Sequence, residues 1–262
     1  MLKSVLVLSY YDTANFGDRL GYHVLNSVLP PHAEATYSGL SQWKVPDRHY
    51  DLLILGIGNS LLPHDAVNHR LLGLLKTVQK SIGIFGTQYR SMFKSGPAAD
   101  GLSKILDRLD TWWARYEDDL EIFGSGRSNA RHLGDWLITA FPMSVPSNDK
   151  GLTVPAEFIR ENVSLDRAIQ RIQAYPAVMS SRLHPLLCAL TSAKEVGYYE
   201  QRAIPNSNEP SGKFASMLHD VFGRSFDEGE LFQVDRTAVL RYKQQVTRNV
   251  GDLRQQLMEM LG

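Results

Sequence analysis

Short, β-rich apolar runs alternating with longer stretches of helical spacing constrain this chain more than any other feature. SVLVLSY (Ser4–Tyr10), DLLILGIG (Asp51–Gly58) and SIGIFGT (Ser81–Thr87) each read as a buried strand. DRLGYHVLNSVL and NHRLLGLLKTVQK, which follow the first two, place apolar residues at helical spacing. A further helix is expected near Gly101–Leu109, then a short strand at TWWARY and a helix through EDDLEIFG. Strands separated by helices need crossover connections, so the sheet is expected to be parallel and doubly wound. Ligands of such sheets lie beyond the carboxyl ends of the strands. The loops after Tyr10, Leu55 and Phe85 are therefore where chemistry is sought.

FPMSVPSNDKG, from Phe141 to Gly151, is rich in proline, serine and turn formers and reads as a domain boundary. The expected division is a domain over 1–145 and a smaller α/β domain over 146–262. In the second, SLDRAIQRIQAY is helical with Ser164 as N-cap, PAVMSS is a strand, PLLCALTSA a helix and KEVGYYE a strand. The polar loop QRAIPNSNEPSG leads to the helix KFASMLHDVF. From Asp235 onward Val239, Tyr242, Val246, Val250, Leu253, Leu257 and Met260 alternate three and four apart, forming one seam of a long helix. Packing of that seam on the chain's own core is the simpler reading; a homo-oligomer contact is the alternative.

Composition narrows the function classes. With 28 basic and 28 acidic residues and a pI near 7.1, no global field recruits nucleic acid or an acidic membrane, so any anion site is local and no nucleic-acid partner is expected. Cys188 is the single cysteine, which excludes an intrachain disulfide and a cysteine metal cluster and fits a reducing compartment. No apolar run approaches the roughly 20 residues of a spanning helix. The expected location is the cytoplasm, with at most peripheral association at the inner face of the membrane.

Two loops carry candidate chemistry. In SSRLHP, Pro185 is placed at the first position of a helix, so Ser180, Ser181, Arg182 and His184 surround a helix N-terminus. Unpaired amides and the positive dipole end favour an anion there. Arg182 adds planar recognition of carboxylate or phosphate, and His184 adds a proton mobile near neutral pH. The competing reading is that Ser181 or His184 caps the helix while Arg182 reaches solvent. In YYDTANFGDRL, Gly17 permits close backbone approach, and Asp18 either caps the first helix or orients a sugar hydroxyl. GIGNS and FGTQYR are the equivalent loops of the next strands, with Arg90 in reach of an anion. Tyrosines of YYDT and GYYEQ sit at strand ends, where an acceptor sugar or simple packing explains them equally.

Other features read as structural. YEDDLE is expected to be a solvated helix start, Trp112 and Trp113 packing, and Cys188 a core residue. His64, Asp65 and His69 lack the i, i+4 histidine spacing of a helical zinc pair, so no metal set is assigned. GxGxxG, GxxxxGK[ST] and GxSxG are absent.

NFGD in the first strand–helix loop, a glycine loop after the second strand, ARYEDD followed by LGDW, and SSRLHPLLCAL followed by YY occur in an order that resembles the polysaccharide pyruvyl transferase family, over roughly Tyr10–Tyr199. The resemblance implies two Rossmann-like parallel-sheet domains in a glycosyltransferase-B-like arrangement with a small second domain and an active site between them. It implies a ketal pyruvate transferase: phosphoenolpyruvate is the donor, no further cofactor is needed, and the acceptor is a saccharide or lipid-linked oligosaccharide of an exopolysaccharide or surface-glycan pathway. The family's arginine–leucine–histidine falls on Arg182, Leu183 and His184, and its asparagine–x–glycine–aspartate on Asn15, Gly17 and Asp18. Its arginine–aspartate pair falls on Arg115-Tyr116, where only the arginine matches.

On chemical grounds a phosphoenolpyruvate site needs converging cationic donors, which Arg182, the helix N-terminus and Arg115 or Arg90 would supply, with Ser181 a further substrate-binding residue. His184 is then the general acid and Asp18 the hydroxyl-orienting group or base. Two alternatives stand beside this one: a glycosyltransferase of the same architecture that uses a nucleotide sugar, and a non-catalytic saccharide-binding protein.

Overall fold

The computed structural model describes residues 2–10, 15–154, 163–202 and 209–262. Tyr11 and residues 203–208 of the polar loop lie outside the described residues. By contact the chain parts into two compact units: Met1–Tyr11 with Gly21–Gly134 and Arg248–Gly262, and Asp12–Leu20 with Asp135–Thr247. This division falls after Gly134, whereas the sequence pattern points to residue 145, and neither unit is one continuous segment. The physical reason lies in residues 135–141. Trp136, Leu137, Ile138 and Phe141 are all buried, so the polar stretch that follows them is a surface excursion of the second unit.

The first unit is a mixed α/β body around a large parallel sheet. Its strands are β1 (Lys3–Ser9), β2 (Ala33–Gly39), β3 (Leu52–Leu55), β4 (Ser60–Leu61), β5 (Ser81–Thr87), β6 (Thr111–Ala114) and β7 (Ala130–His132), in the order β2-β1-β3-β5-β6-β7 with β4 beside the end of β5. Every described pairing in it is parallel. Leu52–Leu55 are all fully buried, as a central strand covered on both faces requires. One face packs Leu6, Leu8, Leu53, Leu55, Phe85 and Trp112 against Leu102, Ile105 and Leu106 of the helix Pro97–Leu106. The two tryptophans are core residues with satisfied indoles: Trp112 Nε1–H donates to the Phe85 carbonyl at 3.0 Å and Trp113 Nε1–H to Gln256 at 2.8 Å.

The first helix, α1 (Phe16–Val28), divides between the units: Phe16–Leu20 group with the second and the remainder with the first. The second unit carries a four-stranded sheet of described residues in the order β11-β10-β9-β8. β8 (Gly151–Val154), β9 (Ala177–Ser180) and β10 (Glu195–Tyr198) run parallel, and β11 (Phe232–Gln233) is antiparallel to β10. Ser164 caps α2 (Leu165–Gln173), accepting the Arg167 N–H at 3.3 Å. α3 (Leu183–Leu190) and α4 (Lys213–Phe222) follow β9 and β10. The long helix α5 (Arg236–Leu261) begins at Asp235, whose carboxylate takes the Thr237 and Ala238 amides at 2.9 and 3.1 Å. Its seam residues Val239, Tyr242, Val246, Leu253 and Leu257 are buried within the single chain, which the simpler reading expects. Among the described residues no helix is long and apolar enough to cross a membrane.

One side chain of α5 ties residues 135–141 into the second unit. Lys243 Nζ donates to the carbonyls of Ile138 and Phe141, each at 2.6 Å, and of Thr139 at 3.3 Å. These are carbonyls at the end of the 3₁₀ turn Trp136–Ala140, where helical acceptors run short of donors; the Ile138 carbonyl also accepts the Phe141 N–H at 3.1 Å. Lys243→Met keeps most of the stem and removes the donors, and is expected to cost about 1.5–3 kcal/mol. A lower urea midpoint at an unchanged denaturant slope is the measurement that checks it.

Candidate functional site

The Ser180–His184 turn is built by β9 and closed by its own first serine. Ser180 is fully buried, and its Oγ accepts the Arg182 N–H at 3.0 Å while donating to the Arg182 carbonyl at 2.8 Å. From the neighbouring strand end, the Tyr199 N–H holds the Ser180 carbonyl at 3.0 Å. Arg182 is the N-cap of α3 with extended backbone, φ −126° and ψ 129°, and its carbonyl takes the first helical bond from Leu186 at 3.2 Å. The helix thus begins at Leu183, and Pro185 is its third residue where the sequence reading placed it first. A proline is still tolerated there, because the amides of a first turn have no intrahelical acceptor. Leu183 is 4% exposed and serves the core, whereas Ser181, Arg182 and His184 are half-buried.

The NFGD loop supplies the opposing half. Asn15 caps α1: its Oδ1 accepts the Gly17 N–H at 2.9 Å and its carbonyl accepts the Arg19 N–H at 3.0 Å. Capping therefore belongs to Asn15, and Asp18 sits in the first turn, where the helix dipole favours its charge. Phe16 stacks on Phe141, ring centroids 6.3 Å apart and planes within 15°, which anchors the turn in the second unit. Gly17 then meets His184 at contact distance. A Cβ on Gly17 would lie 1.9 Å from His184 Nδ1 and 2.4 Å from Cε1, so the imidazole occupies the place a side chain would need.

The two motifs, far apart in sequence, are therefore one cluster: Asn15, Gly17, Asp18, Ser181, Arg182, Leu183 and His184 all belong to the second unit. Two helix first turns meet in it, each with the positive end of its dipole beside the imidazole. Such a cluster is suited to an oxyanion, with Arg182 as a planar donor, His184 as a proton carrier and Asp18 as an acceptor for a hydroxyl.

Arg90 and Arg115 belong to the first unit, where both contribute to a buried polar knot. Asp119 is fully buried at the end of one helical turn, Glu117–Asp119, and accepts the Thr87 N–H at 2.9 Å, the Thr87 hydroxyl at 2.6 Å and Arg90 Nε at 2.9 Å. Arg90 also reaches Asp118 at 3.3 Å. Burial opposes the Arg90 charge most strongly of any single influence, but Asp119, Asp118 and Tyr116 together offset it and hold the guanidinium above its ordinary pKa. Arg90 follows Tyr89, whose φ of 57° is the one left-handed non-glycine conformation among the described residues.

Tyr116 is fully buried, with the Arg90 guanidinium 5.6 Å and the Arg115 guanidinium 5.2 Å from its ring centroid. Gly86 leaves room for both partners, since a Cβ there would stand 2.9 Å from Asp119 Oδ2 and from the Tyr116 ring. The acidic run read as a solvated helix start is thus solvated only in part. Its third acid is the buried partner of Arg90, and the signal for it was a cation at the end of the preceding parallel strand.

The remaining candidates resolve into structure. Tyr10 donates its hydroxyl to buried Asp65, which also accepts the Leu62 N–H at 2.9 Å. Tyr198 is 6% exposed, stacked on Phe214 at 5.2 Å, whereas Tyr199 is 48% exposed.

No protein-family model matches the chain, and no curated protein matches it. Similar solved structures include an α-glucosyltransferase in complex with UDP and a 13-mer DNA containing an HMU base, 11% identical over 100% of this chain and 95% of that one, with a TM-score of 0.44. A second structure of an α-glucosyltransferase with the same ligands is 10% identical over 100% of this chain and 94% of that one, with a TM-score of 0.37. The partners expected for this chain were phosphoenolpyruvate as donor and no nucleic acid, whereas these structures hold UDP and DNA.

Proposed function

We propose that the chain is a group transferase whose second unit binds a nucleoside-diphosphate sugar through its diphosphate and transfers the sugar to a hydroxyl. The observation that carries this reading is the seating of the His184 ring on Gly17, which brings two helix N-termini and Arg182 to one place. Helix amides with one planar guanidinium suit a diphosphate. A small donor bearing both carboxylate and phosphate calls for more cations in a confined space, and Arg90 is already committed to Asp119.

In the transfer, the bond between the sugar's anomeric carbon and the diphosphate oxygen breaks as an acceptor oxygen bonds to that carbon. Asp18 takes the acceptor's proton, and the charge gained by the departing diphosphate is balanced by Arg182, the two first turns and a hydrogen bond from His184.

Calorimetric titration with UDP and, separately, with phosphoenolpyruvate tests the reading. UDP is expected to bind saturably, and Arg182→Ala is expected to weaken it at least about tenfold, the loss of one charge-assisted contact. Saturable binding of phosphoenolpyruvate with no response to UDP overturns the proposal.

A further inference from the structure

We propose that Lys213 and Gln201 form a charged clamp that positions the Ser181–His184 turn. Lys213 is the first residue of α4, at the positive end of the helix dipole. Its Nζ donates to Gln201 Oε1, and the other end of the same amide, Nε2, donates to the Ser181 carbonyl at 2.6 Å. Gln201 is itself held on the backbone side: its N–H donates to Glu200 Oε1 at 2.9 Å and its carbonyl accepts the Ser211 N–H at 2.7 Å.

An ammonium on the oxygen of an amide polarises it and strengthens the hydrogen bond given by its nitrogen. The charge of Lys213 therefore reaches the peptide immediately before Arg182. Ser180 Oγ accepts the N–H of that same peptide and donates to the Arg182 carbonyl of the next one, so the backbone from which Arg182 and His184 project is fixed between a hydroxyl and a charge-tightened amide. Both clamp residues are positioning residues, acting through Ser181.

The test uses full-length Lys213→Met, Lys213→Arg and Gln201→Leu. Hydrogen exchange of the Arg182 and Leu186 amides, measured without ligand, is expected to rise severalfold in the Met and Leu variants and to return to the parent rate in Lys213→Arg. UDP affinity, the arm that rests on the proposed function, is expected to fall about tenfold in the same two variants and no further in their combination, because both break one linkage. Unchanged exchange in Lys213→Met, or failure of Lys213→Arg to restore it, overturns the clamp. Should the parent ignore UDP, the donor reading fails, and the exchange rates still decide the clamp.

Discussion

Gly17→Ala is expected to leave the protein folded while lowering the proposed transfer from a UDP-sugar about 100-fold, the scale on which a misplacement near 1 Å acts. Gly17 lies in the first turn of α1, and alanine in a helix is favoured over glycine by up to about 1 kcal/mol. Against that gain stands a methyl group whose three nearest neighbours, at 1.9, 2.4 and 3.0 Å, are all atoms of the His184 ring. A ring on a rotatable side chain yields where backbone would not, so the clash is relieved by displacing His184 and not by unfolding.

Gly73→Ala is the matching control, since nothing lies within 4 Å of a Cβ there. Melting temperature, turnover and the imidazole NMR signals of the two variants distinguish the outcomes. Unchanged turnover with a shifted His184 resonance would remove the histidine from the chemistry.

Asp119→Ala is expected to be the most destabilising single change among the ion-paired residues, at about 3–5 kcal/mol, because it leaves the guanidinium of Arg90 buried without its carboxylate. The side chain of Asp119 is fully buried and that of Arg90 is 15% exposed, so water does not substitute for the missing oxygen atoms. Two Thr87 donors lose their acceptor at the same time. Asp118 provides the contrast. It touches the same arginine at 3.3 Å but is 32% exposed, and Asp118→Ala is expected to cost under about 1 kcal/mol. Urea midpoints of the two variants check both values, and equal midpoints would mean that the knot does not depend on the buried acid.

The fold was legible wherever a strand is covered on both faces. Leu52–Leu55 and Ser81–Thr87 are continuous runs in the sequence because every residue of them is buried. β2 was not legible: among the described residues AEATYSG pairs only with β1, and it is mostly half-buried, so its composition carries neither an apolar run nor strict alternation. The helix expected through EDDLEIFG breaks into one α turn and the wider turn Leu120–Gly124, which no local propensity marks.

Of the site, the cluster of NFGD with SRLH rested in the sequence on a resemblance, because a contact between distant segments leaves no periodic trace in either. Asn15 was preferred over Asp18 as the cap for a geometric reason: the helix starts one residue after it. Asp119 was hidden because burial of a carboxylate is decided by a partner 29 residues upstream.

The seating of His184 on Gly17 also governs how the chain comes into being. Gly17 is made well before His184, so the cluster assembles only after both segments have left the ribosome. A cut in the Pro142–Gly151 stretch separates its two halves: the fragment before the cut contains Asn15, Gly17 and Asp18 without their histidine, and the fragment after it contains the histidine without its seat. Complementation of two such pieces, and not either piece alone, is the route by which a split form of this protein regains its site.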